Sequence, residues 1–181
     1  MNLEGGRVRL RPISTHDLDS LMAWVNDNEV TRTLLSGRYP LTREAEAKWI
    51  EARTAVDAKE VTCVIETLAG EYLGGISLFR IQEIERTAEL GIVIGKKSAW
   101  GKGYGTEAMQ LLVAYGFRQL NLHMIYLTVL RGNPKAAHIY EKIGFVHEGR
   151  LRNRVYRDGV YHDLLTMSIK RSEWGKQKGA T

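Results

Sequence analysis

Seven consecutive residues, Trp100-Gly101-Lys102-Gly103-Tyr104-Gly105-Thr106, carry the strongest chemical signal in the chain. Three glycines at alternate positions let the backbone approach a ligand closely and adopt positive φ. The segment runs into an apolar-striped stretch that predicts a helix, so its amides would point at one spot beside a helix N-terminus carrying roughly half a positive charge. Such a nest suits a pyrophosphate. Lys96, Lys97 and Lys102 would add positive charge. Spacing excludes two common phosphate loops. A dinucleotide fingerprint needs glycine where Thr106 stands; a P-loop needs Ser or Thr where Gly103 stands and glycine where Lys96 stands. The bland alternative is a turn whose glycines only permit tight packing.

Other reactive side chains are less patterned. The five histidines, His16, His123, His138, His147 and His162, lack metal-site spacing, so no metal is expected. The single cysteine, Cys63, lies in an apolar strand-like run with no adjacent histidine or base to activate it. One cysteine makes no intrachain disulfide, and a cytoplasmic location is the default expectation. Net charge is +5, but the basic residues are scattered, which argues against a nucleic-acid interface and mildly against a polycationic substrate. Arg150, Arg152 and Arg154 are expected on one exposed strand face, able to hold an acidic substrate. No apolar run approaches the roughly 20 residues that span a bilayer, and the first residues lack the order of a signal peptide.

The elements that must position these residues follow from periodicity. Residues 8–12 alternate apolar and basic side chains as a first strand. Caps at residues 14–17 start a helix to about residue 26, followed by a shorter helical piece to 35. Thr42 caps a further helix with Ala45, Trp49 and Ala52 inward. Residues 60–68, 72–84 and 87–95 are strand-like and joined by short turns. Residues 106–120 form a helix with Met109, Leu112, Val113, Gly116, Phe117 and Leu120 as its stripe. A strand over 124–130 follows, then a short helix from Pro134 that ends at Gly144. The last pair of strands turns at Asp158-Gly159. The fold class is therefore α+β, with helices on a mostly antiparallel sheet. Residues 1–174 make a single domain and 175–181 a polar tail.

The run Gly101-Lys102-Gly103-Tyr104-Gly105 before a helix resembles the acetyl-CoA pyrophosphate loop of the GNAT superfamily of N-acetyltransferases. Trp100 departs from that family's Arg or Gln and resembles its ribosomal-protein N-acetyltransferase branch. A second segment, Asn133-Pro134-Lys135-Ala136…Tyr140…Gly144-Phe145, resembles the family's Asn-x-x-Ser/Ala…Tyr…Gly-Phe motif. The two occur in the right order, about 30 residues apart. The later part also looks like bacterial spermidine N-acetyltransferases.

The resemblance implies a fold whose fourth and fifth strands splay into a V, with helices on both faces. It implies acetyl-CoA as co-substrate, its pantetheine arm along Ile92, Val93 and Ile94, its pyrophosphate on residues 100–106, and contacts from Asn133, Ala136 and Tyr140. Asn133 is equally a good N-cap. Tyr140, which otherwise reads as a core residue, becomes the acid that serves the leaving thiolate. Glu89, otherwise an exposed strand carboxylate, resembles a glutamate base or a contact to the substrate ammonium. A base is needed because a primary amine with pKa near ~10.4 is only about one part in a thousand neutral at pH 7. The acceptor is a protein N-terminus or a small amine, chosen by residues 26–55 and the terminal hairpin, where Trp24, Tyr39, Trp49 and Tyr156 could line a pocket. The alternatives are a polyamine acetyltransferase and a non-catalytic acyl-CoA sensor. A homodimer through the hairpin is a further expectation.

Overall fold

The computed structural model describes residues 3–35, 39–55 and 57–175. A short strand β1 (Leu3–Glu4) turns into β2 (Val8–Pro12), so each later strand takes a number one higher than the sequence suggests. A 3-10 turn leads into α1 (Leu18–Met22), then α2 (Asn28–Thr31) and α3 (Arg43–Thr54). The meander is β3 (Val61–Thr67), β4 (Tyr72–Gln82) and β5 (Thr87–Ile94). Then come α4 (Tyr104–Arg118), β6 (Met124–Leu130), α5 (Pro134–Ile143), β7 (Val146–Arg157) and β8 (Val160–Lys170). The strands form one sheet in the order β1-β2-β3-β4-β5-β6-β8-β7, in which β5 and β6 pair in parallel. The tail beyond Gly175 lies outside the described residues.

Most expected turns follow from backbone chemistry. Asp158 and Gly159 both take positive φ, 48° and 79°, as a two-residue hairpin demands. Pro134 opens α5, and Gly144 closes it at φ 114°. The first helix stops early, however. Asn26 bonds the Leu41 backbone twice, amide to carbonyl and amide oxygen to N–H, both at 2.9 Å. Asp27 caps Glu29 at 2.8 Å and starts α2 afresh. Side chains that bond the backbone locally compete with helix continuation.

Alternation along the strands separates two faces. On one, Val8, Leu10, Cys63, Ile65, Ile76, Leu78, Ala88, Leu90, Ile125 and Leu127 pack beneath Met109, Leu112, Val113 and Phe117 of α4. On the other, Val64 packs with Ile13, Leu21 and Ile50 under α1 and α3. The inward face of α3 differs from the periodic expectation. Glu46 and Ile50 are buried, whereas Ala45 and Ala52 are exposed, and Trp49 lies half out under the Arg53 guanidinium, 4.1 Å from the ring centroid. The stripe is rotated by one residue because Ile50 fills the small space over Val64, while Trp49 is covered by a cation instead.

The basic face of β2 is neutralised within the fold. Arg9 and Arg11 grip the two oxygens of the buried Glu66, at 2.8 Å from Arg9 Nε and 2.6 Å from Arg11 Nε. Arg11 also takes both oxygens of Asp17, at 2.9 and 2.6 Å. Burial pushes Glu66 up, but the two guanidiniums outweigh it and hold its carboxyl below the usual range. A depressed carboxylate stabilises the fold above its unfolded pKa near ~4.3 and loses that contribution as pH falls through the folded value. Glu66→Gln should therefore lower unfolding free energy by about 3 kcal/mol at pH 7. In urea titrations the gap to the parent should shrink as pH falls below about 4 and close only below the depressed folded value, where the native carboxyl is protonated too.

Candidate active site

The β5–β6 ladder has three rungs, Thr87 with Met124, Ala88 with Ile125 and Glu89 with Tyr126. Beyond Glu89 the strands part. β5 stays paired with β4 as far as Ile94, and β6 stays paired with β8 as far as Leu130. The edges that would have faced each other thus line an open V, in which buried backbone groups need another partner.

The glycine turn closes the wide end beside β5. Gly101 and Gly103 have φ of 73° and 81°. Gly103 is the N-cap of α4 and offers no side chain to the first-turn amides, which leaves them to a ligand. Gly105 differs from the expectation that all three glycines serve positive φ. It is helical, and a Cβ there would touch Ile94 and Ile92 at 3.5 and 3.6 Å, ordinary contact distances. Ile92 and Ile94 therefore face α4, and Val93 faces the other side of the sheet. Tyr104 and Thr106 lie in the helix's first turn, half-buried. Trp100 Nε1 donates to the Ile94 carbonyl at 2.7 Å and ties the turn to the end of β5.

The lysines are distributed differently from the sequence expectation. Lys96 pairs with Glu71, and Lys97 with Asp27 and Glu29. Lys102 stays on the turn, exposed. The cation that comes to the turn is Arg7, which the sequence did not single out. Its guanidinium donates to the Lys102 carbonyl at 3.0 Å and to Glu107 at 3.2 Å, and its backbone N–H donates to Glu107 at 2.9 Å. A Cβ on Gly103 would lie 3.1 Å from that guanidinium. Glu107, expected only to suit the helix dipole, also clasps the β1–β2 turn. Its carboxylate would be 2.2 Å from a Cβ at Gly5. The Gly5-Gly6 pair was the available signal, but its partner lies 100 residues away.

Glu89 stands at the vertex and is buried. Its neighbours Ala88 and Leu90 point into the α4 core, so its own side chain faces the opposite side. Arg80 Nη1 donates to it at 2.5 Å, and the Thr128 hydroxyl lies at 3.4 Å. Arg80, also missed from sequence, is aimed by a bulge in β4 where its φ is 54°. Tyr140 lies on the α4 side. It packs on the main core and on the Phe145 ring, at 6.1 Å between centroids. Burial pushes its phenol up to about 12. Asn133 Oδ1 caps α5 by accepting from Ala136 N–H at 3.2 Å, so its amide nitrogen is the atom a ligand contact would use. Tyr140 and the glycine turn thus lie on one face of the sheet and Glu89 on the other, with the gap between β5 and β6 joining them.

Other expected groups do not converge. Trp24 packs at Gly95, where a Cβ would fall 2.3 Å from its ring; Tyr39 is exposed; Tyr156 stacks on Tyr161 at 5.0 Å. Arg150, Arg152 and Arg154 do not share a regular strand face, because β7 slips register between Leu151 and Val155. Cys63 is buried, with its thiol pushed up to about 11, which leaves little thiolate. Among the described residues, no group of three or more His, Cys, Asp or Glu could hold a metal ion, and no helix is long and apolar enough to cross a membrane. Gly103→Ala forces a left-handed Cβ against Arg7. It should lower stability by about 1–2 kcal/mol in thermal melts and disorder the turn.

Comparison with known proteins bears on what the V holds. Residues 7–146 match the model of the acetyltransferase (GNAT) domain. The spermidine N(1)-acetyltransferase of Escherichia coli K12 is 35% identical over 162 residues, covering 90% of this chain and 85% of that protein. The putative ribosomal N-acetyltransferase YdaF of Bacillus subtilis is 37% identical over 109 residues, covering 60% of this chain and 59% of that one. A crystal structure of spermidine N-acetyltransferase from Vibrio cholerae, in complex with CoA and spermine, superposes with a TM-score of 0.86 at 30% identity, covering 93% and 98% of the two chains. The splayed strands, the uncapped glycine turn and these matches agree: the chain belongs to the GNAT family of acetyltransferases and is an N-acetyltransferase.

Proposed function

We propose that the chain moves the acetyl group of acetyl-CoA to a primary amine that is a protein N-terminus or a small molecule, within the V between β5 and β6. The observation that carries this reading is the unpaired β5 edge, followed through a 3-10 turn and the glycine turn by an uncapped helix N-terminus. The extended edge suits a pantetheine arm, which bonds as a strand would. The amides of residues 103–106, with Lys102 and Arg7 beside them, suit the pyrophosphate. Bound there, acetyl-CoA supplies the activated thioester.

Each site residue then has a role. Backbone groups of Ile92, Val93 and Ile94 position the arm, and an N–H of this edge stabilises charge developing on the thioester oxygen. Tyr140 is protonated at neutral pH like any tyrosine, and burial raises its phenol further, to about 12. That phenol lies well above an ordinary thiol near ~8.5, so it serves the departing thiolate chiefly as a hydrogen-bond donor. Glu89 receives the amine from the other face. Held in place by Arg80 at 2.5 Å, it orients the ammonium, whose proton passes to water. The asparagine and alanine of the second motif, Asn133 and Ala136, hold the start of α5 beside the arm. The relatives named for spermidine make a polyamine the second reading of the acceptor. A homodimer through the hairpin tip, with Tyr156, Val160 and Tyr161 exposed, accords with this reading.

Tyr140→Phe should lower kcat in a free-thiol release assay at least about tenfold with CoA affinity nearly unchanged; unchanged turnover would sink the acid assignment. Glu89→Gln should lower kcat/KM for the amine about a hundredfold and leave KM for acetyl-CoA within twofold, with the loss persisting as pH rises toward 9.

A further inference from the structure

The edge strand β7 carries a bulge. Leu151 pairs with Leu164, and the next rung joins Val155 to His162. Residues 152–154 are thereby looped out of the ladder. Asn153 takes φ 51° and donates its N–H to Asp163 Oδ1 at 2.8 Å. Asp163 is answered again by Arg150 at 2.5 Å and by Arg131 at 3.6 Å. The bulge is therefore held from beneath by a carboxylate whose charge is already balanced. Left-handed non-glycine backbone costs of order 1–3 kcal/mol and persists where surrounding contacts over-determine it. Bulges re-aim side chains. Arg152 and Arg154 are exposed and have no carboxylate partner among the described residues. With Arg150, Leu151 and Asn153 they line an open concavity.

Topology puts this concavity level with the wide end of the V, across β8 from it. Leu164, the rung partner of Leu151, also pairs with Leu130, the last residue of β6. From the vertex at Tyr126 to Leu130 is roughly 13 Å of strand, the reach of about four extended residues. Arg157 ties the hairpin stem to the carbonyls of Thr31, Arg32 and Leu34. A polycation lying along this edge would meet Arg131, Arg150, Arg152 and Arg154, with Asp163 already paired.

We infer that Arg152 and Arg154 bind carboxylates of the acceptor, and that the preferred acceptor is a polypeptide N-terminus with acidic side chains at about its third to fifth positions. This rests on the acetyl-transfer reading above. The test measures free-thiol release from acetyl-CoA with hexapeptides that differ only in Glu, Gln or Lys at positions three to five, and with spermidine. The Glu peptide should exceed the Gln peptide about tenfold in kcat/KM, and the Lys peptide should fall below both. The preference should weaken with added salt. Arg152→Gln with Arg154→Gln should bring the Glu-to-Gln ratio to within twofold of one. Arg152→Glu with Arg154→Glu should invert the preference toward Lys, an outcome that a misfolded variant cannot produce. A Glu-to-Gln ratio near one in the parent, a ratio that survives both double variants, or spermidine outrunning every peptide would each overturn the inference. No thiol release above the amine-free rate with any peptide or with spermidine would instead sink the transfer reading beneath it.

Discussion

The parting of β5 from β6 after the Glu89–Tyr126 rung is the constraint on which the rest of the molecule depends. Each strand keeps its outer partner, β4 for one and β8 for the other, so the sheet stays whole while two inner edges go unpaired. Strand edges carry backbone groups ready to hydrogen-bond, and these two edges face each other across the gap. The two sides of the gap are chemically different. The α4 side is apolar and ends in the glycine turn, and the far side holds the Glu89–Arg80 pair. An acyl carrier and an amine can therefore approach from opposite faces and meet in the gap.

The same parting decides what the helices do. α4 starts at Gly103 because the turn must bring its amides to the wide end of the V. The turn is held there by contacts remote in sequence: the Trp100 indole on the Ile94 carbonyl, and Arg7 with Glu107 from the β1–β2 turn. Binding atoms are supplied by backbone and their placement by side chains, so a rigid support is built under a flexible residue type.

Charge tells a similar story. The excess of +5 is not spread evenly over the surface. Arg9 and Arg11 are absorbed by Glu66 and Asp17, Arg7 by Glu107, Arg80 by Glu89, and Arg131 and Arg150 by Asp163. Among the described residues Arg152 and Arg154 on β7, like Lys102 on the glycine turn, stay exposed without a carboxylate partner. Composition announced a basic protein, but only the ion-pair geometry shows where the basic character is available.

Much of the fold was legible in local chemistry. Alternation marked the strands, the apolar stripe marked α4, and Asp158-Gly159 and Pro134…Gly144 marked their turns, because each is governed by forces a few residues long. The glycine turn was legible for the same reason, since φ values of 73° and 81° select glycine at Gly101 and Gly103. What tertiary structure decided were contacts between residues far apart in the chain. Asn26 left its helix to bond Leu41, the α3 stripe turned by one residue to seat Ile50, Lys96 and Lys97 went to other carboxylates, and Arg7 and Arg80 came to the site unannounced. Local sequence sets which conformations are cheap; which side chain reaches which partner depends on how strands from distant parts of the chain are registered, and a bulge of one or two residues is enough to redirect it.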